Sequence, residues 1–236
     1  MTTHPEMRRV GGGVYVPFYR VQDEQDSRVE PFLLDLRPVT NGEFLDFVRR
    51  EPRWQRSRAS ELFTDDSYLS SWSSDLDPGE AVSARQPVTF VSYFAASAYC
   101  ASLGKRLPSE AEWEWAAYPS GTDSHSEEAV TARILAFYSR PRGSLPEVGG
   151  TPANQWGIQD LHGVIWEWVE DFNASFAAAD NRQDGDRELG RICGGAAIGA
   201  DDVKNYAAFM RFAFRTSLEA RYAIHQLGFR CARSLE

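Results

Sequence analysis

The stretch QPVTFVSYFAASAYCASLGKRLPSEAEWEWAA, Gln86 to Ala117, holds two helix starts with one stop between them. Ser92 precedes YFAASAYCASL and offers a hydroxyl to the free amides of a first turn, while Gly104 supplies the left-handed residue that ends a helix. Ser109 and Glu112 then form a capping box, and Pro108 holds the approach to this second helix extended. Leu107 is placed to enter the core. Trp113 and Ala117 are i, i+4 partners on one face, and Trp115 points elsewhere. Glu110, Glu112 and Glu114 crowd the helix N-terminus, where negative charge is favourable. The same carboxylates paired for acid–base work are the alternative reading; the spacing favours scaffold.

Working outward, Thr40 and Glu43 make another capping box, and Phe44, Phe47 and Val48 follow on one helical face. Residues 11–37 read as strands, with GGGVYVPFYRV and EPFLLDLRPVT carrying β-branched and aromatic residues. Residues 51–86 are polar and read as a long surface excursion, the kind of loop that is either functional or mobile. Residues 119–130 read as a solvated loop, and from Ile134 onward the pattern suggests irregular structure and short strands. No repeat or linker interrupts the chain. Residues 1–10 are expected to be a tail, and 11–233 a single domain.

The 236 residues suffice for a real core, with 42% hydrophobic residues and seven tryptophans. A net charge of −9 argues against a partner bound through nucleic-acid phosphates. The only lysines are Lys105 and Lys204, so arginine supplies nearly all positive charge, as a GC-rich genome produces. No window approaches the roughly 20 apolar residues of a membrane span. The N-terminal residues do not read as a secretory signal, so a cytoplasmic protein is expected. Cys100, Cys193 and Cys231 are too few and too scattered for a disulfide framework or zinc site. Buried thiols are therefore expected.

RPVTNGEFLDFV, the stretch quoted first, NQWGIQDLHGVIWEWVEDF, CGGAA and QLGFRCAR occur in the order seen in the formylglycine-generating enzyme family, the sulfatase-modifying factors. The chain resembles that family from about Gly11 to Arg233. The resemblance implies an α+β, C-type-lectin-like fold with much irregular structure. The superfamily also includes the ergothioneine sulfoxide synthases, the pyoverdine-maturation proteins and accessory proteins encoded near copper nitrite reductases. The chain resembles the branches without a cysteine pair, the nitrite reductase accessories among them.

Formylglycine generators bind copper(I) through two cysteines after a Gly-Gly-Ser, thiolate and copper(I) both being soft. Here that triplet is Gly194-Gly195-Ala196. Counting back from MRFAFR, the second cysteine falls on Ala207 beside Tyr206 and the first on Asp202; counting forward puts the first on Gly199. No cysteine stands at any of these, so formylglycine chemistry is not expected. In their place Asp201, Asp202, Asn205 and Tyr206 offer oxygen ligands. Arg211 and Arg215, four apart, suit a carboxylate or peptide clamp, although Arg215 and Arg230 also match fold-wide arginines that pair with buried acids. Catalytic candidates are Asp202, Tyr206 and Arg211; substrate-binding candidates are Arg211, Arg215, Gln226 and Trp72. Candidate metal ligands are Asp201, Asp202, Glu167 and His225, for calcium, copper or iron. Val164 replaces an Asn of the family's calcium turn, which removes one ligand oxygen. His162 is either a metal ligand or a buried, hydrogen-bonded imidazole.

Two functions stand side by side. One is an accessory maturation protein that modifies a polypeptide or peptide-derived metabolite, with a metal and oxygen as candidate agents. The other is a non-catalytic, lectin-like binding module that uses the Trp72 region as a contact.

Overall fold

The computed structural model describes residues 6–15, 27–118, 126–139, 143–172, 214–215 and 217–235. The candidate residues Cys193, Ala196, Asp201, Asp202, Asn205, Tyr206 and Arg211 lie outside the described residues.

The strands are short: Met7–Val10 (β1), Gly13–Tyr15 (β2), Ser27–Val29 (β3), Phe32–Asp35 (β4), Trp166–Glu167 (β5), Leu227–Gly228 (β6) and Ala232–Ser234 (β7). β4 runs antiparallel to β1 on one side and β7 on the other, with Leu34 facing Arg8 and Ala232. β2 and β3 form an antiparallel ribbon, and β5 and β6 a two-residue parallel pair. β1 therefore begins inside the interval read as a tail, and β7 extends the domain to Ser234. An isolated apolar Val10 gives no strand signal on its own; pairing with β4 makes the strand.

The helices are Asn41–Arg50 (α1), Tyr93–Ser102 (α2), Glu110–Ala117 (α3) and Glu127–Tyr138 (α4). The expected boxes form at both Thr40/Glu43 and Ser109/Glu112, with Ser92 capping α2. α2 ends as its glycine demands: Gly104 sits at φ +65°, with its amide donating to the Ala101 carbonyl at 3.0 Å and the Lys105 amide to Cys100 at 2.9 Å. This closes the last turn as a Schellman motif. α4 stands where a loop is expected, because Ser126, which caps it by accepting from the Ala129 amide, lies in a Ser- and Glu-rich run that reads as loop.

The core forms where α1 and α2 meet the segment before β7. Phe44 stacks on Tyr99 at 5.9 Å and meets Phe229 edge-on at 6.1 Å. Each such ring contributes about 1.5–3 kcal/mol on leaving water. The excursion at 51–86 is not a mere surface loop. Its apolar residues Trp54, Tyr68, Leu69 and Trp72 are buried, and Trp72 donates its indole N–H to Asn41 Oδ1 at 2.9 Å. Polar composition hid this because most of the segment's residues are polar and its buried aromatics are scattered among them. The glycine run has a steric cause: a Cβ on Gly13 would lie 2.3 Å from the Trp115 ring, whose indole N–H donates to the Gly11 carbonyl at 2.7 Å.

The cysteines overturn the expectation of buried thiols. Cys100 on α2 and Cys231 before β7 form a disulfide with Cα atoms 5.6 Å apart, across 131 residues of sequence. Spacing along the chain cannot reveal a pair that only the tertiary fold brings within bonding range.

Candidate functional site

α3 sets the site. Its N-terminal glutamates fall on different sides: Glu112 completes the cap and takes a bidentate pair from Arg106 at 2.6 Å, while Glu110 and Glu114, four apart, turn toward Arg215. Arg215 Nη1 donates to Glu110 Oε1 at 2.6 Å and Glu114 Oε1 at 2.8 Å, and its guanidinium lies over the Trp113 ring at 5.6 Å. Burial opposes the Arg215 charge, yet Glu114 and Glu110 outweigh it and raise its pKa. Burial pushes the Glu110 pKa up; Arg215 pulls it down, and Glu114 and Asp171 add to the rise.

A second buried pair lies under this one. Arg230 donates Nε to Glu167 Oε2 at 2.7 Å and Nη2 to Oε1 at 2.8 Å, while Trp113 Nε1 donates to Oε2 at 2.8 Å. Its other donations reach the carbonyls of Asp35 at 3.2 Å and Gln159 at 3.0 Å. Both side chains are wholly buried.

Between α3, α4 and the turn leading into β5 opens a cleft of about 400 Å³, counting space open to solvent. Trp113, Phe137 and Trp166 give it aromatic walls, with His162, Glu167 and Arg215 as its polar lining. Phe137 meets Trp166 edge-on at 5.6 Å, Trp166 stacks on Phe214 at 4.2 Å, and His162 stands edge-on to Trp113 at 5.2 Å. A second cavity of about 310 Å³ shares Leu161 and His162 with the first and is lined by Arg133, Thr151, Asn154 and Asp160. α4 spans both: Val130 and Arg133 face the second, Ile134 and Phe137 the first, the i, i+3, i+4, i+7 pattern of one helical face.

Of the candidate site residues singled out from sequence, Arg215, Glu167 and His162 reach the cleft wall. Arg215 does so as the partner of two carboxylates, so its role as a substrate clamp gives way to the structural pairing also read for it. Trp72 is buried behind α1 and forms no surface contact. Gln226 contributes its carbonyl, which accepts from the Trp166 amide at 2.6 Å. His225 is half-buried and edge-on to Phe90 at 5.7 Å, away from the cleft lining. Arg133 and Phe137 enter the site unannounced; the heptad-like spacing of Val130, Ile134 and Phe137 was the signal that could have found them.

The metals implied by the family do not fit these residues. A disulfide offers no thiolate, so Cys100 and Cys231 cannot hold copper(I) as found. Both oxygens of Glu167 accept from Arg230, and a calcium ion there would have to displace that guanidinium. Among the described residues, no three His, Cys, Asp or Glu side chains converge as a ligand set, and no helix is long and apolar enough to cross a membrane.

The profile of the sulfatase-modifying factor enzyme 1-like domain matches residues 2–235. The chain belongs to this family. The inactive C-alpha-formylglycine-generating enzyme 2 of Mus musculus is 28% identical, over 98% of this chain and 86% of that one. The serine/threonine-protein kinase pkn1 of Chlamydia caviae is 34% identical over 60% of this chain, which spans only 23% of the kinase. Among solved structures, CarF superposes with a TM-score of 0.53 at 17% identity, covering 99% of both chains, a likeness of fold. The sulfatase-modifying factor fold, with short strands, few helices and long irregular connections, is thus the one described above.

Proposed function

We propose that the chain is an accessory maturation protein that acts on a polypeptide or a peptide-derived metabolite and does not oxidise cysteine through a copper–thiolate centre. Gly194-Gly195-Ala196 and the segment after it carry no cysteine. The observation that carries the reading is the disulfide, which removes Cys100 and Cys231 from the thiolate pool. The mouse relative, named an inactive member, supports it, as does the resemblance to branches such as the nitrite reductase accessories. A metal- and oxygen-dependent step is the catalytic form of this reading, with Asp201, Asp202 and Tyr206 as its candidate residues.

A second reading, a binding module without catalysis, is favoured by the cleft itself: Glu167 and Arg215 are already engaged within the protein. Protein purified without chelator, assayed for metal and offered cysteine peptides with copper(I) in an oxygen electrode, tests both. The expected result is no copper-dependent oxygen uptake and no change in peptide mass. Copper-dependent oxidation of a cysteine peptide would overturn the proposal, and oxygen uptake with other peptides would favour the catalytic form over the binding module. The compartment also needs measurement, because disulfides persist mainly in oxidising environments whereas the sequence leads to a cytoplasmic expectation. Mass analysis of the native protein under non-reducing conditions shows whether the bond is formed where the protein resides.

A further inference from the structure

We propose that the face built from Leu62, Phe63, Tyr222 and Ile224 joins two copies of this chain about a twofold axis, the arginine end of each face lying on the carboxylate end of the other. All four side chains are exposed, Leu62 at 76%. They come from two distant segments that the fold ties together. The Asp65 amide donates to the Arg221 carbonyl at 3.1 Å, the Ala223 amide to Asp65 Oδ2 at 3.0 Å, and Arg221 Nη1 to the Glu61 carbonyl at 3.2 Å. Single exposed apolar side chains are ordinary, but several gathered on one face and rimmed by charge mark a contact surface.

The platform beneath is set before any partner arrives. The Phe63 ring meets Phe94 edge-on at 5.2 Å and is tilted against Trp54 at 6.2 Å. Behind it, Leu69 and Phe90 hold left-handed backbones at φ +48° and +55°. The Leu69 amide donates to the Phe90 carbonyl at 2.8 Å, and the Phe90 amide donates to the Ile224 carbonyl at 3.1 Å. Bulky residues keep this conformation only where their surroundings enforce it. A surface ordered in advance loses little entropy on docking.

Charge selects the occupant. Beside Trp54 stand Arg53, its guanidinium 6.0 Å from the indole ring, and Arg56 and Arg58, against Glu51 and Asp75. At the Tyr222 end, Glu61, Asp65, Asp66 and Glu219 stand against Arg221, and Glu219 Oε1 accepts from the Tyr222 hydroxyl at 3.1 Å. One end is net positive and the other net negative. A rim of one sign would fit a partner of the opposite sign. A rim divided in this way complements itself, because a twofold axis brings unlike ends together. The whole chain carries −9, so two copies repel at long range and the contact must act at short range and depend on concentration.

Sedimentation velocity of the full chain over about 2 to 200 µM tests this. The wild type is expected to shift from monomer toward dimer as concentration rises. In a twofold contact each substitution counts twice, so Leu62→Ser should weaken dimerisation about 100-fold or more. Arg58→Glu should weaken it about tenfold, and adding Asp66→Arg should recover part of that loss by exchanging the signs of the two ends. Leu62, Arg58 and Asp66 are exposed, so the variants should melt with the wild type; if Leu62→Ser does not, Ile224→Ser replaces it with the same expectation. A wild type that is monomeric at every concentration overturns the proposal and leaves the face to a different protein. A dimer untouched by Leu62→Ser or by Arg58→Glu also overturns it, as does a double variant no tighter than Arg58→Glu alone. The maturation proposal stands apart from these outcomes, because it falls only to the copper-dependent oxidation of a cysteine peptide.

Discussion

Removing the Cys100–Cys231 disulfide should lower stability by an amount the chain itself sets. The bond closes a loop across 131 residues, for which the chain-entropy relation gives about 17 cal/mol/K, or about 5 kcal/mol at about 25 °C. In a domain of this size each kcal/mol moves the midpoint by about 2–4 °C, so a fall of about 10–20 °C in Tm is expected. Both cysteines are wholly buried, so reductant added to the native protein meets no sulfur until the fold opens. The assay must therefore reduce in denaturant, refold under reductant, and compare scanning calorimetry with protein refolded oxidised. A Cys100→Ala, Cys231→Ala variant gives the second arm, which adds a small cavity cost and should melt no higher than the reduced wild type. If the reduced protein melts within about 2 °C of the oxidised one, the loop-entropy argument fails for this fold.

Arg230→Met leaves the buried Glu167 carboxylate without its bidentate partner and should cost about 3–5 kcal/mol in urea denaturation. Adding Glu167→Gln should recover part of that loss, and strictly additive single changes would show that the two side chains do not act as a pair. Asp35 supplies a pH test. Burial pushes its pKa up to about 6 although Lys105 Nζ, at 2.6 Å, pulls it down; desolvation of a carboxylate with no exposure outweighs the one ammonium. A folded-state pKa above the unfolded value near 3.8 means that the native state binds the extra proton, so this group's contribution to stability falls as pH rises from about 4 to about 6. Wild-type stability minus that of Asp35→Asn should therefore decline across that window, and a constant or rising difference would contradict the assignment.

What could be read from the sequence was local. Thr40/Glu43, Ser92 and Ser109/Glu112 announce their helices because a cap and its partner lie within a few residues, where the physics needs no tertiary context. Gly104 announces the end of α2 for the same reason. β1 and the two-residue β5–β6 pair could not be read: none spans enough residues to show alternation, and each exists only because a distant strand receives its hydrogen bonds. The disulfide escaped for a related cause, since neither cysteine's surroundings name the other. Trp72 was misplaced because loop composition averages over outward polar residues and buried aromatics alike. At the site, the pairing of Arg215 and Arg230 with buried acids was one of the readings open from sequence. The cleft was not, because it depends on α4, whose apolar residues Val130, Ile134 and Phe137 sit behind a Ser- and Glu-rich start.

The joining of β7 to β4 has a consequence for synthesis. Phe229, Arg230, Cys231 and Ala232 are wholly buried, and they bond to Val39, Asp35, Glu167 and Arg106. The ribosome makes these four after every other buried residue described, so α1, α2 and α3 emerge long before the segment that completes their common core. Until then their apolar faces stay open, a period in which a nascent chain is exposed to aggregation and to chaperones. The order of translation runs against the order of closure, and ribosome-bound lengths ending before Phe229 should remain protease-sensitive.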